Sequence, residues 1–227
     1  MRGSAAHGRV FDPVTLTWHE ADAEVSDINV DTILAPIAPG PIAPDLPGRA
    51  AGASDMLHAS GLSLRAWMPA DLAAFRALLD DPQVWKHLPE PYPDPFDDTT
   101  ARTLIIAANT MPGSLVRAVL KAGEPIGQLR LQWPPDQPRR EAEISYWLGR
   151  ACWGQGLGST LVAGAVARAF HNDPALLRLT ARVHPENPAS ARLLEKTGFR
   201  ELDTPPDGHE GADWRWFALR RQHRPRS

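Results

Sequence analysis

A glycine-rich turn in the second half of the chain is a candidate ligand-binding segment. The run Cys152-Trp153-Gly154-Gln155-Gly156-Leu157-Gly158-Ser159 stands between a predicted strand and a predicted helix. Glycines let a bound group approach the backbone closely, and the N–H groups and dipole of a helix N-terminus attract anions. The run therefore predicts a phosphate site, although such a turn could equally serve packing alone. It matches neither the dinucleotide fingerprint nor a nucleotide-triphosphate loop.

A second segment joins the end of a strand to a short helix. It reads Val183-His184-Pro185-Glu186-Asn187-Pro188-Ala189-Ser190 and continues to Gly198-Phe199. Asn187 suits the N-cap, Pro188 suits the first helical position, and Gly198 suits the C-terminal stop. Asn187 could be only a cap, and the Ser190 hydroxyl could bond only to the helix backbone. Either side chain could instead contact a ligand.

Strands and helices must alternate around these two segments. Apolar periodicity predicts four helices, at residues 69–79, 99–108, 157–170 and 188–197. It predicts seven strands, at residues 62–65, 115–121, 126–131, 142–149, 176–184, 199–202 and 213–219. Gly123 and Glu124 suit a hairpin turn between the second and third strands. The order predicts an α/β (α+β) fold with one central sheet.

The N-terminal part of the chain differs from the rest in its residue composition and periodicity. Residues 1–60 show little periodicity, and proline recurs through residues 35–44, so this stretch should run extended. The extension could be a leader, or an arm that docks on a partner or on the protein's own groove. We predict an irregular extension at residues 1–60, one domain at residues 61–221 and a tail at residues 222–227.

Composition narrows the function classes. The net charge is −3, from 24 Lys and Arg against 27 Asp and Glu, without a basic block, which disfavours a nucleic-acid partner. No apolar run is long enough for a membrane span, and one cysteine, Cys152, cannot form an intramolecular disulfide. The eight histidines show no metal-ligand spacing, so we predict no metal. These features favour a soluble, cytoplasmic protein.

Taken together, the segments resemble the GNAT acetyltransferases, and within them the ribosomal-protein alanine N-acetyltransferases. Five ordered pieces carry the resemblance, at residues 64–71, 81–85, 144–148, 153–158 and 184–199. The resemblance implies a mixed, mostly antiparallel sheet flanked by helices. It also implies an acyltransferase that takes acetyl-CoA as co-substrate and acetylates a primary amine.

The resemblance assigns a set of residues to acetyl-CoA. It implies that the strand end Trp147, Leu148 and Gly149 pairs with the pantetheine arm, which Asn187 would also contact. The pyrophosphate would lie on the glycine-rich turn, at Gly154, Gln155, Gly156, Leu157, Gly158 and Ser159. Trp153 stands where the family's loop usually has Arg or Gln, so backbone N–H groups would bind the phosphates.

The usual catalytic positions of the family hold other residues in this chain. Leu194 occupies the position of the common tyrosine acid, and Arg182 occupies that of a catalytic glutamate. Ser190 matches a serine of the ribosomal-protein branch and is predicted to assist the thiolate or to order a water. Glu143 is the predicted base, with Glu141 as the alternative, although either could be a solvated edge residue. We expect direct transfer, in which Cys152 takes no part.

Three functions fit this pattern. The leading hypothesis is acetylation of a protein N-terminus or a lysine. The first alternative is a small-molecule acceptor such as an antibiotic, an amino acid or a polyamine, which acidic groups in residues 88–98 and 205–213 could attract. The second is a non-catalytic acyl-CoA sensor. A homodimer is compatible with each.

Overall fold

The computed structural model describes residues 61–134, 140–206 and 213–222 apart from residues 91 and 94, together with Leu57 and the backbone of residues 9–12 and 17–20. The chain divides into two units, residues 1–48 and 49–227. In the first, β1 (Arg9–Asp12) and β2 (Thr17–Glu20) form an antiparallel hairpin that the sequence did not indicate. The proline-rich residues 35–44 lie outside the described residues.

Seven strands of the second unit form one sheet in the order β3-β4-β5-β6-β7-β9-β8. All neighbours are antiparallel except β6 and β7, which are parallel. This confirms the predicted mixed, mostly antiparallel sheet. The strands are β3 (Leu62–Arg65), β4 (Ser114–Lys121), β5 (Glu124–Gln132), β6 (Glu141–Leu148), β7 (Arg178–Val183), β8 (Arg200–Glu201) and β9 (Arg215–Arg220).

Over residues 61–222, the described part of the chain contains five α-helices, and four of them lie where the periodicity predicts a helix. The short helix α2 was not predicted. Its N-cap is Asp81, whose side chain accepts a hydrogen bond from the Gln83 N–H. The helices are α1 (Leu72–Leu79), α2 (Pro82–Trp85), α3 (Asp98–Thr110), α4 (Leu157–Asn172) and α5 (Pro188–Lys196).

Two apolar cores hold the helices to the sheet. One joins buried residues of β6 and β7 to α4 and α5, with Leu161 and Leu194 at its centre. The other joins β4 to α1, α2 and α3 around Phe75 and Ile105. Leu57 is buried in the first core and packs so closely on Gly164 that a Cβ there would lie 2.5 Å from its Cγ. The packed unit therefore includes a residue before the predicted domain start.

The two parallel strands part soon after they meet. β6 and β7 pair only through Glu141 with Arg178, Ala142 with Leu179, and Glu143 with Thr180. β6 then continues to Leu148 with β5 alone as its partner. Consequently the β7-facing edge of β6 carries backbone N–H and C=O groups that no strand satisfies over its last residues. Such an edge can receive an extended chain of amides.

A partly buried ion pair anchors the start of α1. The Asp71 carboxylate, 7% exposed, accepts from Arg65 Nη1 at 2.5 Å, from Arg65 Nη2 at 2.9 Å and from the Met68 N–H at 2.8 Å. The Arg65 hydrogen bonds hold the pKa of Asp71 below its ordinary value, although burial opposes this. The carboxylate thus favours the folded state whenever it is ionised.

We expect Asp71→Asn to lower the free energy of unfolding by about 2 kcal/mol at neutral pH, because it removes a charge-assisted pair. Asp71 stabilises the fold above its unfolded pKa of about 3.9, and this contribution disappears as the pH falls through the lower folded value. Urea unfolding at a series of acidic pH values should therefore show a smaller loss of stability in the variant than in the wild type. An equal acid dependence of both proteins would contradict the assignment.

Candidate active site

The end of β6 and the N-terminal ends of α4 and α5 enclose a cleft of about 620 Å³. Residues around α2 form its remaining wall. Its lining is Gln83, Val84, His87, Leu88, Tyr146, Trp147, Leu148, Cys152, Trp153, Gly154, Gly156, Leu157, Gly158, Ser159, Glu186, Asn187, Pro188, Ala189, Ser190, Arg192, Leu193 and Lys196. The two segments singled out in the sequence therefore meet at one site.

Most residues that the resemblance assigns to acetyl-CoA line this cleft, but Gly149 and Gln155 do not. The Gly149 N–H donates to Ile126 O at 2.9 Å, and a Cβ on Gly149 would lie 2.4 Å from Leu78 Cδ2. Close packing therefore explains this glycine. The Gln155 amide donates to Ala151 O at 2.7 Å and is exposed. The assignments themselves stay predictions.

The start of α4 has the chemistry of an anion site. Gly156 is its N-cap with φ +76° and without a side-chain cap, and Gly154 has φ +72°. Neither glycine has an atom within 4 Å of the place where a Cβ would stand, so the space above the turn is open. The first N–H groups of a helix, here those of Leu157, Gly158 and Ser159, have no intrahelical acceptor. A phosphate fits such a cradle.

Trp153 fixes this turn to the sheet. Its Nε1–H donates to Leu148 O at 2.7 Å, on the last residue of β6. The indole is nonetheless 46% exposed and forms part of the cleft wall. The side chain that replaces the family's usual Arg or Gln therefore holds the turn in place from the side of the strand.

Two cations of α5 face the same cleft. Arg192 and Lys196 both line it and are exposed. Neither forms an ion pair with a carboxylate of the described residues. Two cations beside a helix N-terminus that lacks a side-chain cap make this part of the cleft suitable for a polyanion.

Asn187 and Ser190 meet at the N-terminus of α5. The Ser190 N–H donates to Asn187 Oδ1 at 3.0 Å, so Asn187 is the predicted cap of its helix. This bond leaves the Asn187 Nδ2 donors for other partners. Ser190 Oγ lies 2.9 Å from the hydroxyl oxygen of Tyr146, a residue of β6 that the sequence did not single out as functional. Burial raises the pKa of Tyr146 to about 12, against the opposing effect of the Ser190 hydrogen bond.

Glu143, the predicted base, does not line the cleft. Its Oε1 lies 2.9 Å from Arg182 Nε, in a buried contact that lacks the alignment of a hydrogen bond. Arg182 also lies over the Trp214 ring, 5.8 Å from its centroid. Glu141, the alternative, accepts from Arg178 Nη2 at 2.6 Å. Each glutamate thus belongs to an ion pair that joins β6 to β7.

Other titratable side chains complete the cleft. His87 lines it, and its Nδ1 is buried without a hydrogen bond from the described residues. Burial, followed by the nearby His184 at a ring distance of 5.5 Å, lowers the pKa of His87. Cys152 is a half-buried free thiol. Leu194, at the position of the family's tyrosine, is 1% exposed in the core, where it presents no acid.

The described residues contain neither a cluster of metal ligands nor a membrane-spanning helix. Nowhere in this part of the chain do three or more His, Cys, Asp or Glu side chains gather as metal ligands would. None of the helices it contains is both long enough and apolar enough to cross a membrane.

Sequence comparison places the chain in a family. Residues 62–200 match the model of the acetyltransferase (GNAT) domain. The uncharacterized N-acetyltransferase p20 of Bacillus licheniformis is 31% identical over 153 residues, which cover 65% of this chain and 83% of that protein. The predicted family and the predicted acyltransferase class are thereby confirmed.

Solved structures share the fold. Mycobacterium smegmatis RimJ, in complex with CoA-disulfide, is 23% identical with a TM-score of 0.60. The match covers 73% of this chain and 85% of the RimJ chain. Spermidine N-acetyltransferase from Vibrio cholerae, in complex with CoA and spermine, is 22% identical with a TM-score of 0.58 and covers 71% and 96%. By fold and by sequence, the chain belongs to the GNAT acetyltransferases.

Proposed function

We propose that the protein transfers the acetyl group of acetyl-CoA directly to a primary amine, at a protein N-terminus or a lysine. The observation that carries this proposal is one continuous cleft that runs from an uncapped helix N-terminus, past an open strand edge, to the Tyr146–Ser190 hydroxyl pair. The complexes of the two neighbours with CoA support the choice of co-substrate.

Each part of the cleft suits a part of acetyl-CoA. The N–H groups at the start of α4 would take the pyrophosphate, with Arg192 and Lys196 adding positive charge. The amides of the pantetheine arm would pair with the edge of β6 that β7 leaves free, and Asn187 Nδ2 could donate to the same arm. The thioester would then lie near Ser190.

The reaction requires the protein mainly to position the amine and the thioester and to supply hydrogen bonds. A neutral amine attacks the thioester carbon, a C–N bond forms, and the C–S bond breaks with its electron pair on sulfur. Free N–H groups on the β6 edge can stabilise the developing charge on the carbonyl oxygen. The amine proton leaves to water, because Glu143 is bound to Arg182 away from the cleft wall.

Glu143→Gln tests that step. We expect kcat to fall by less than about threefold, because this carboxylate is bound to Arg182 and does not line the cleft. Glu141→Gln, which breaks the neighbouring ion pair with Arg178, is the matched control. A loss of roughly a hundredfold or more in kcat for Glu143→Gln alone, with unchanged stability, would identify Glu143 as the base.

The charge of the cleft favours an acceptor with a single amine. Among the described residues that line it, Glu186 is the only carboxylate, and it pairs with Lys86 at 3.4 Å. The wall beside α2 is formed by Val84, His87 and Leu88. A polycation needs several carboxylates at close range, whereas a peptide N-terminus brings one amine and an apolar or neutral neighbourhood.

The acidic loop residues that the structure describes do not change this balance. Glu90, Asp97, Asp98 and Asp213 do not line the cleft. Asp97 caps α3 through the Thr100 N–H, and Asp98 pairs with Arg76. Asp94, Asp207 and Glu210 lie outside the described residues.

The spermidine N-acetyltransferase neighbour supports the alternative of a small-molecule acceptor, and RimJ is the neighbour from the ribosomal-protein branch.

Release of CoA thiol from acetyl-CoA across a panel of amines tests the proposal. We expect turnover with peptides that carry a free N-terminus, and none with the same lysine-free peptides after N-terminal blocking. Preferential turnover of polyamines or aminoglycosides would establish the small-molecule alternative. CoA binding without thiol release from any amine would establish a sensor.

A further inference from the structure

A pair of hydroxyl groups lies in the wall of the cleft. Tyr146 comes from β6 and Ser190 from the first turn of α5, and their oxygens lie 2.9 Å apart. Both residues line the cleft. The Ser190 backbone is held in turn by the Asn187 side chain, which accepts its N–H at 3.0 Å. The position of the serine hydroxyl is therefore fixed from the strand and from the helix.

The acidity of the two groups favours one direction for the hydrogen bond between them. Oxygen positions alone do not show the direction of an O–H···O bond. With a pKa of about 12, Tyr146 keeps its proton throughout the neutral range. A phenol is nevertheless a stronger acid than an aliphatic alcohol, which favours Tyr146 as the donor and Ser190 Oγ as the acceptor. The proton of Ser190 is then free to point into the cleft.

We propose that Tyr146 is a positioning residue for the departing thiolate, because it donates to Ser190 Oγ and so turns the Ser190 hydroxyl proton toward the sulfur. This inference rests on the proposed function, since it requires acetyl-CoA in the cleft. It supplies a donor at the leaving group in a chain whose family tyrosine position is filled by the buried Leu194.

The pair acts by hydrogen bonding and not by giving up a proton. As the C–S bond breaks, its electron pair moves to sulfur, and the Ser190 O–H donates to the growing negative charge. An ordinary thiol has a pKa of about 8.5, so transfer of the Tyr146 proton to the thiolate would be unfavourable by roughly a thousandfold or more. The thiolate departs as an anion and is protonated by solvent, and both hydroxyl groups keep their protons.

The pKa of the thiol of bound CoA measures the hydrogen bond from Ser190 to sulfur. This measurement requires no amine substrate. A donor that stabilises the thiolate lowers the thiol pKa, which an isotope label on the carbon beside sulfur can follow by NMR during a pH titration. We expect Tyr146→Phe and Ser190→Ala each to raise the pKa of the bound thiol by about 1 relative to wild type. The double variant should raise it little further, because the two hydroxyls act as one unit.

Turnover separates positioning from a structural role. We expect kcat to fall by about tenfold in either variant while KM for acetyl-CoA changes by less than about twofold, and we expect Ser190→Thr, which keeps a hydroxyl, to recover most of the loss. Bound CoA with the same thiol pKa in wild type and Tyr146→Phe would overturn the inference and leave the proposed function standing. A wild-type protein that binds no CoA would overturn both.

Discussion

Replacing Gly127 with alanine should lower the free energy of unfolding by about 3 kcal/mol or more, because the new methyl group would collide with backbone atoms. Gly127 lies opposite Leu148 in the ladder between β5 and β6. A Cβ at this position would lie 2.2 Å from Trp147 O and 2.9 Å from Leu148 Cα. A side chain could rotate away from such a contact, but a strand backbone cannot. The two strands would have to separate locally.

The same separation would damage the site. Trp147 and Leu148 belong to the part of β6 that lines the cleft, so Gly127→Ala should also weaken acetyl-CoA binding. Urea unfolding and calorimetric binding of acetyl-CoA measure the two effects. Gly123→Ala, in the turn of the adjoining hairpin, is the control, since its Cβ would meet nothing within 4 Å. Its φ of +88° alone should cost about 1 kcal/mol. Equal losses in the two variants would refute the steric argument.

Local chemistry made most of the fold predictable. Apolar periodicity places the strands and the longer helices, and their ends follow from caps such as Asn187. The hairpin turn was predicted one residue late, at Gly123 and Glu124. The turn residues are Ala122 and Gly123, with φ of +52° and +88°. An alanine seldom adopts positive φ, which is why the pattern did not indicate it.

Features that depend on a few residues or on tertiary contact were not predictable. The helix α2 has four residues, too few for any periodicity, and depends on its Asp81 cap and on burial of Val84 and Trp85. Tyr146 and Ser190 stand 44 residues apart. Tyr146 shares one face of β6 with the buried Ile144 and Leu148, so it resembles an ordinary core residue until the fold brings α5 against it.

Glu143, the predicted base, also makes a tertiary contact that the sequence alone does not reveal. Strand parity correctly put Glu143 on the face of β6 that it shares with Ser145 and Trp147. Parity could not show that β7 would place Arg182 Nε 2.9 Å from that carboxylate. The register of the short parallel ladder decides this contact, and the ladder ends at Glu143 itself. An ion pair at the point where two strands part gives this glutamate a structural explanation that the sequence could not supply.

Removing both cations of α5 should weaken acetyl-CoA binding by about a hundredfold. Arg192 and Lys196 line the cleft beside the start of α4 and have no carboxylate partner among the described residues. Each should therefore be available for a phosphate, and a charge-assisted hydrogen bond is worth about tenfold in affinity. Each single alanine variant should lose about that factor, and the double variant about their product if the two act independently.

A control variant and a second form of acetyl-CoA show which phosphate group the two cations bind. Arg168→Ala removes an exposed charge of α4 that does not line the cleft, so it should change the dissociation constant of acetyl-CoA by less than about twofold. Calorimetry with acetyl-CoA and with its 3′-dephosphorylated form then separates the binding sites. If the cations bind the 3′-phosphate, the double variant and the wild type should bind the dephosphorylated donor almost equally. If they bind the pyrophosphate, the loss should persist, and no loss with either donor would exclude both cations from the site.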